Sequence, residues 1–425
     1  VTPAQLAAYG ALRAPLALLE LPLFVLLPAY YADGLGLSLV SIGSILFAAR
    51  AIDAVSDPAI GALLDRTPDP RHWRLAIWLT LPLLVLAYGA LFFPPPGAPR
   101  EIWLATLSVL TYLAWSLISI AYQTWGARLG TTDAERVRVT TWREGAGLLG
   151  VLASAALLVP ERVPALVALF ACSAALAGLL LTRAPLPPAR PAIAVAGVWA
   201  GFAELIRHRQ VRWTLGVFLV NGIASAIPAT LLMFFVSDVL RRPELTPQFL
   251  LIYFLAAAAG MPLWSRLAAR WGLKPAWLLG MVLAILAFIW AWGLGEGDST
   301  AFRVVCALTG LALGADLAIP PALMAAALAQ PDAPRTRDGS AFGLWNLATK
   351  LNLAAAAGLA LPALGLLGYV PGLDPAAQGT GSGLASGTAA LALLYAAVPC
   401  ALKLLAVLML VLAPRQLPGV THPTA

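Results

Sequence analysis

Arg50, Asp53 and Asp57 lie within one long apolar run, from about residue 39 to 64. At helical periodicity, spacings of three and four place all three side chains on nearly one face. A formal charge at bilayer depth is expensive and normally faces a partner or a water-filled cavity. One arginine neutralises one acid, and a second acid remains. Two carboxylates one turn apart in a low-dielectric cavity do not both ionise cheaply. They share a proton or they bind a cation. A purely structural ion pair between Arg50 and one acid is the plainer alternative.

The chain that positions these residues has 425 of them, 60% hydrophobic and 11% charged, with a mean hydropathy of +0.85. A soluble protein carries about 25% charged residues, so the chain reads as an all-α membrane protein. Apolar stretches of spanning length occur at roughly 8–31, 39–64, 74–93, 101–127, 140–160, 163–182, 212–239, 247–269, 275–295, 301–329, 340–367 and 386–413. The expected architecture is twelve transmembrane helices in two six-helix halves: an N-terminal bundle over 1–183, a cytoplasmic linker over 184–211 and a C-terminal bundle over 212–425. The linker is rich in proline and arginine, and Ala200–Arg207 reads as a short surface helix. The first apolar run carries Glu20 and is too long for a signal-peptide core, so it reads as a retained helix.

With the N-terminus in the cytoplasm, most of the 27 Lys and Arg fall on the cytoplasmic side, Arg66, Arg128, Arg136 and Arg270 among them. That asymmetry is what the positive-inside rule demands, and it puts both termini in the cytoplasm. The net charge of +7 is spread over short loops and is no nucleic-acid signal. Cys172, Cys306 and Cys400 lie singly in apolar runs and read as core thiols. Gly379–Gly383 looks like a phosphate loop but lacks the strand and the lysine, so it reads as an outer loop. Matching basic loops after the second and eighth spans suggest a parallel repeat with a site at the midplane.

Other polar residues stand in apolar surroundings. Lys350 is about ten residues from the nearer end of its span, roughly 15 Å at helical rise, too deep to snorkel easily. It reads as a partner of Asp53 or Asp57. Lys403, taken as near a helix end, reads as a snorkelling lysine. Glu20 precedes Pro22 and Pro28, which permit bending, and reads as a substrate hydrogen-bond acceptor or proton carrier. Asp316 is a site candidate or an interhelical hydrogen bond in equal measure. Asn221 and Asn346 suggest helix–helix hydrogen bonds, with Asn346 one turn before Lys350 on the same face. Trp115, Tyr122 and Trp345 are candidates to line a cavity, although aromatics in spans more often pack. Asp65 and Arg66 end the second span. Asp65 reads as a conformational latch, paired with nearby arginines.

The stretch Tyr30-Tyr-Ala-Asp33-Gly-Leu-Gly36 running into Arg50-x-x-Asp53-Ala-x-x-Asp57-Pro58-x-x-Gly61-x-x-x-Asp65-Arg66-Thr67 resembles the major facilitator superfamily, and within it the glycoside–pentoside–hexuronide:cation symporters. Asp133-x-Glu135-Arg136, Gly339-x-x-x-Gly343, Lys350-Leu351 and Gly368-Tyr369 extend the likeness along nearly the whole chain. The resemblance implies that Asp53 and Asp57 bind the coupling cation, with Ser116 supplying a hydroxyl and Lys350 close to the cation and sugar sites. It implies sugar contacts from Glu20 and Arg143. Ser119 stands where the family has a fourth-span acid. Gln123 stands where it has a tryptophan, with Trp125 two residues on.

A sodium ion takes several oxygens, which Asp53, Asp57, Ser56 and Ser116 offer; a proton needs one carboxylate. The expected function is therefore Na+- or H+-coupled symport of a small organic solute, by family default a sugar or glycoside, through alternating access. The alternative cargo is an amphipathic lipid such as a lysolipid. No cofactor, no nucleic-acid partner and no enzymatic chemistry are expected: His-Glu-x-x-His and Gly-x-Ser-x-Gly are absent, and His72, His208 and His422 lie near loops or the terminus. Channels favour repeated pore rings, and none is visible. Substrate contacts are assigned to Glu20, Ser119, Tyr122, Arg143, Trp125, Lys350 and Asn346, and gating to Arg50, Lys350, Asp65 and Arg66. The alanine- and arginine-rich composition points to a high-GC bacterium, hence to a multi-pass protein in the lipid bilayer of an inner membrane; a monomer is what the resemblance implies.

Overall fold

The computed structural model describes residues 1–413 apart from 32–34, 38, 68, 158–159, 189–197, 331–337, 368 and 370–386. Asp33, Gly368, the Gly379–Gly383 loop, much of the linker and His422 lie outside the described residues. Those described form helices α1 (Pro3–Gly10), α2 (Arg13–Leu18), α3 (Leu27–Ala29), α4 (Leu39–Asp65), α5 (Pro70–Phe92), α6 (Arg100–Ala127), α7 (Asp133–Ala156), α8 (Val163–Leu180), α9 (Val198–Arg207), α10 (Arg209–Phe234), α11 (Thr246–Trp271), α12 (Leu273–Phe288), α13 (Ser299–Leu328), α14 (Asp338–Leu366), α15 (Thr388–Ala392) and α16 (Val398–Leu412). With α1–α3 as one interrupted rod and α15–α16 as another, this gives the twelve expected rods plus the short α9.

Among the described residues, eight of the rods are long and apolar enough to cross a membrane by length and composition. The first, second, fifth and eleventh are not among the eight. Those four carry Arg13, Glu20, Arg50, Asp53, Asp57, Arg143, Glu144 and Lys350.

The first rod departs from a plain helix. A π-helical turn, Pro22–Leu26, separates α2 from α3; proline lacks the amide that would continue an i→i−4 ladder. The fifth rod starts at Asp133, seven residues before its apolar run. Thr132 caps it, accepting from the Glu135 amide, while the Glu135 side chain accepts from the Thr132 amide. Such a reciprocal box satisfies two orphan donors of the first turn.

Two compact units result: Val1–His208 with Leu328–Leu347, and Arg209–Ala327 with Ala348–Ala425. The first ten residues of α14 thus pack with the first unit. In that unit α5 and α4 pack on α6, and α1 and α2 on α7. Backbone-close crossings make the α1–α2 contact with α7. A Cβ added at Gly147 would meet the Arg13 stem, and one at Gly150 would meet the Ala14 carbonyl. Small residues allow this approach where lipid offers no hydrophobic drive between helices. On α4, Asp53 and Asp57 are buried while Phe47 and Val55 are 76% and 71% exposed, so the acids turn inward and the apolar side faces out.

In the second unit α10 and α12 pack on α16. An aromatic cluster fills one end: Phe235 stacks on Tyr395 with centroids 4.0 Å apart, and Phe302 sits edge-on to Phe249. Elsewhere in this unit the Lys403 ammonium donates to Asn221 Oδ1 at 2.6 Å and to Asp316 Oδ2 at 2.8 Å, and the Trp277 indole donates to Asp316 Oδ1 at 2.8 Å. Lys403 is therefore no snorkelling lysine. It is buried because a carboxylate on α13 and an amide on α10 satisfy it at depth, which also fixes Asp316 as an interhelical ion-pair partner. Removing one member of a buried pair costs about 3–5 kcal/mol, whereas replacing both by apolar residues is often neutral. Lys403→Met is accordingly expected to lower the thermal midpoint in detergent by several degrees. Lys403→Met combined with Asp316→Leu should recover most of the loss.

Candidate functional site

Asp53 is 4% exposed and Asp57 fully buried. The Ser116 hydroxyl of α6 donates to Asp53 Oδ1 at 2.6 Å. The Ser56 hydroxyl donates to the backbone carbonyl of Asp53 at 2.8 Å. Pro58 follows at once inside α4. It supplies no amide, so one carbonyl of the preceding turn lacks its ladder donor. Here α14 comes close: a Cβ added at Gly343 would meet the Asp57 carbonyl. Two acids one turn apart, a serine hydroxyl and a proline-loosened backbone form an oxygen-rich spot in apolar surroundings. Oxygens of this kind are the ligand type that small hard cations take, and a carboxylate also takes a proton. Arg50, one turn before Asp53, is partly buried.

A second polar group joins α2, the residues after it and α7. Arg13 donates to Glu20 at 2.7 Å and to Glu144 at 3.4 Å; Arg143 donates to Glu144 at 2.7 Å. Glu20 and Arg143, expected from sequence to contact substrate, are thus linked through Arg13 and Glu144, which no sequence pattern singles out. Beside α6 and α14, the Gln123 amide donates to Asn346 Oδ1 at 2.8 Å and lies 3.5 Å from the Ser119 hydroxyl. Ser119 and Asn346 therefore share one polar chain.

Tyr122 lies beside the charged group, within the field of Arg143, Glu144 and Arg13, but its hydroxyl and the Trp125 indole are both bonded to backbone. The Tyr122 hydroxyl donates to the Tyr9 carbonyl and the Tyr9 hydroxyl returns the bond to the Tyr122 carbonyl, both at 2.8 Å. Trp125 is fully buried, with its indole donating to the Pro185 carbonyl at 2.8 Å. Both rings serve the α1–α6 packing in this structure, because each polar tip is already satisfied by a backbone carbonyl. Lys350 is partly buried on α14, one turn after Asn346 and within the second unit.

At the end of α4, Asp65 pairs with no arginine among the described residues. It accepts from the amides of Gly339 and Ser340 at 2.7 and 2.9 Å and from the Ser340 hydroxyl. Those amides open α14, and the first turn of a helix carries free donors and a positive dipole end. Arg128 pairs with Asp338 in the same turn and lies over the Trp73 ring at 4.4 Å. Arg66 is exposed.

A putative glycoside/cation symporter of Escherichia coli strain K12, YagG, is 25% identical over 263 residues, 58% of this chain and 56% of that protein. A sodium-dependent lysophosphatidylcholine symporter of Danio rerio, 1-A, is 28% identical over 116 residues, 27% of this chain and 22% of its own length. The chain thus matches about half or less of the length of these relatives. Among solved structures, a bacterial homologue of the iron transporter ferroportin in an outward-facing state superposes with a TM-score of 0.70 at 16% identity, covering 96% of this chain and 98% of that one. The likeness is one of fold. The profile of the MFS/sugar transport protein family matches residues 8–415, nearly the whole chain. With its all-helical rods, its inward-turned acids on the second of them and this match, the chain is a multi-pass membrane protein of the major facilitator superfamily and belongs to its MFS/sugar transport family.

Proposed function

We propose that the protein is a cation-coupled symporter of a small organic solute, by family default a sugar or glycoside, working through alternating access in a bacterial inner membrane with both termini cytoplasmic. The observation that carries this reading is the Asp53–Ser116 contact, with the fully buried Asp57 one turn on. Charge there is costly unless a cation or proton joins it. Asp53 and Asp57 hold the coupling ion, with Ser116 and Ser56 as neutral oxygens. Ser119, Asn346, Glu20 and Arg143 contact the solute, assisted by Gln123. Lys350 competes with the cation for the acids and so couples occupancy to closure. The ion is Na+ or H+, since the same oxygens serve both.

A lysolipid is the second cargo, favoured by the relative named for lysophosphatidylcholine and by Ser119 standing where sugar carriers of the resembled family have an acid. Proteoliposomes with imposed Na+ or H+ gradients decide among these. Accumulation of a glycoside under one gradient and none without it supports the first reading. Gradient-driven uptake of lysolipid alone transfers support to the second, and gradient-independent flux overturns both. In the same assay Lys350→Ala is expected to leave folding intact and remove the dependence on the gradient. Unchanged gradient dependence refutes its role.

A further inference from the structure

We propose that Arg13 and Glu144 set the net charge of the solute this carrier accepts, making it selective for cargo with no net charge. The inference rests on the solute-carrier reading above. Glu20, Arg13, Glu144 and Arg143 form a ladder of alternating sign, with successive contacts of 2.7, 3.4 and 2.7 Å. Two acids and two guanidinium groups sum to zero. The ladder is graded in exposure. The Arg143 side chain is 4% exposed and Glu144 13%, whereas Arg13 is 23% and Glu20 32% exposed. The wet end is Arg13 and Glu20; the dry end holds Arg143.

The packing forces this arrangement. Gly147 leaves room for the Arg13 stem against α7, and Gly150 lets the α2 backbone touch that helix. Arg13 is thereby held within reach of Glu144. Among the described residues, Glu144 is the acid ion-paired to both arginines. It is the member that stops two like charges from standing side by side in a poorly wetted place, where their repulsion is large.

A solute that docks on the wet end meets a field that is already balanced. A neutral polyol, or a zwitterion whose own charges replace one partner each of the Arg13–Glu20 pair, adds no net charge. An anion leaves the site one negative charge in excess. Deleting one acid reverses this bias, since the site then carries one positive charge that an anion cancels.

The test measures uptake of matched pairs into proteoliposomes: a methyl hexoside against the corresponding hexuronate, and lysophosphatidylcholine against lysophosphatidylglycerol. The wild type should favour the member without net charge in whichever pair it carries. Glu144→Gln should move the anionic-to-neutral ratio toward the anion by about tenfold or more, the scale of one charge acting over a few ångströms of partly wetted site. The double variant Arg13→Gln with Glu144→Gln, neutral again, should return the ratio to that of the wild type. Should Glu144→Gln fold poorly, Glu20→Gln applies the same charge change at the exposed end and must shift the ratio the same way. A structural role predicts lower rates for both members with an unchanged ratio. That result, or a wild type that prefers the anion, overturns the proposal while leaving the carrier reading intact. A shifted ratio without dependence on a cation gradient keeps the proposal and overturns the coupling. Uptake of neither pair overturns both.

Discussion

Asp53→Asn is expected to abolish gradient-driven accumulation in proteoliposomes, lowering it by at least about a hundredfold, while exchange of solute down its own gradient survives. The variant keeps the size and shape of the side chain and removes the charge. In the native protein the Asp53 carboxylate is 4% exposed and accepts a 2.6 Å bond from Ser116. Asp57, fully buried, follows one turn later on α4. On the proposed reading these two acids hold the cation or proton together. Removing one charge of a buried, compensated set costs about 3–5 kcal/mol, and each 1.4 kcal/mol is about tenfold in an equilibrium constant. The loss therefore falls on cation affinity, and coupled uptake falls with it.

Asp57→Asn should behave alike. Ser116→Ala is milder, because it removes one hydrogen bond to a charged group, about 1.5–3 kcal/mol. It should raise the cation concentration for half-maximal uptake by about ten- to a hundredfold without abolishing transport. An Asp53→Asn protein whose uptake still follows the imposed gradient would sink the assignment of these acids to the coupling ion.

The second-span acids are legible in the sequence, since charge in a long apolar run has few explanations. The twelve rods are legible for the same reason, from the lengths of the apolar runs. What escapes is whatever depends on where a helix begins or on which distant segment meets it. Glu144 looks like a charge at the edge of a span drawn from residue 140. The helix in fact opens at Asp133, so Glu144 lies three turns inside it. The Thr132-x-x-Glu135 capping box announces that start in the sequence. Arg13 stands only a few residues inside an apolar run and gives no sign of its partners, one of them 131 residues away. Lys403 reads as an interface residue, although its distance from the helix end is close to that of Lys350. Its partner Asp316 is 87 residues distant, and no local pattern joins the two. Asp65 is recognisable as a latch candidate, but its partners are backbone amides and one hydroxyl, groups that sequence patterns of charge do not display.

Asp65→Asn should slow coupled uptake by more than about tenfold while leaving solute affinity close to that of the wild type. Asp65 is 3% exposed and caps the start of α14, accepting from the Gly339 and Ser340 amides and from the Ser340 hydroxyl. Its approach needs small residues: a Cβ at Gly61 would meet the Gly339 carbonyl, and one at Gly339 the Gly61 carbonyl. The carboxylate satisfies orphan donors of the first turn and sits at the positive end of that helix, an arrangement stabilising by up to about 2 kcal/mol when partly buried. Each charge-assisted bond contributes about 1.5–3 kcal/mol beside its neutral counterpart's smaller share. Asparagine of the same shape keeps one acceptor, loses the charge and turns an amide N–H toward other donors. The first turns of α14 pack with the first unit, and Lys350 lies farther along the same helix, so a loosened start alters the rod that carries both the Asp65 contact and the lysine. A ligand-independent state stabilised through Asp65 by about 1.4–2.8 kcal/mol would lose roughly ten- to a hundredfold in population, which appears as a slower cycle with little change in binding. Initial uptake rate and ligand-induced tryptophan quenching, measured on the same preparation, separate the two quantities. A variant with wild-type uptake rate shows that Asp65 only packs the helix, and equal losses in rate and affinity show that it shapes the solute site instead of gating it.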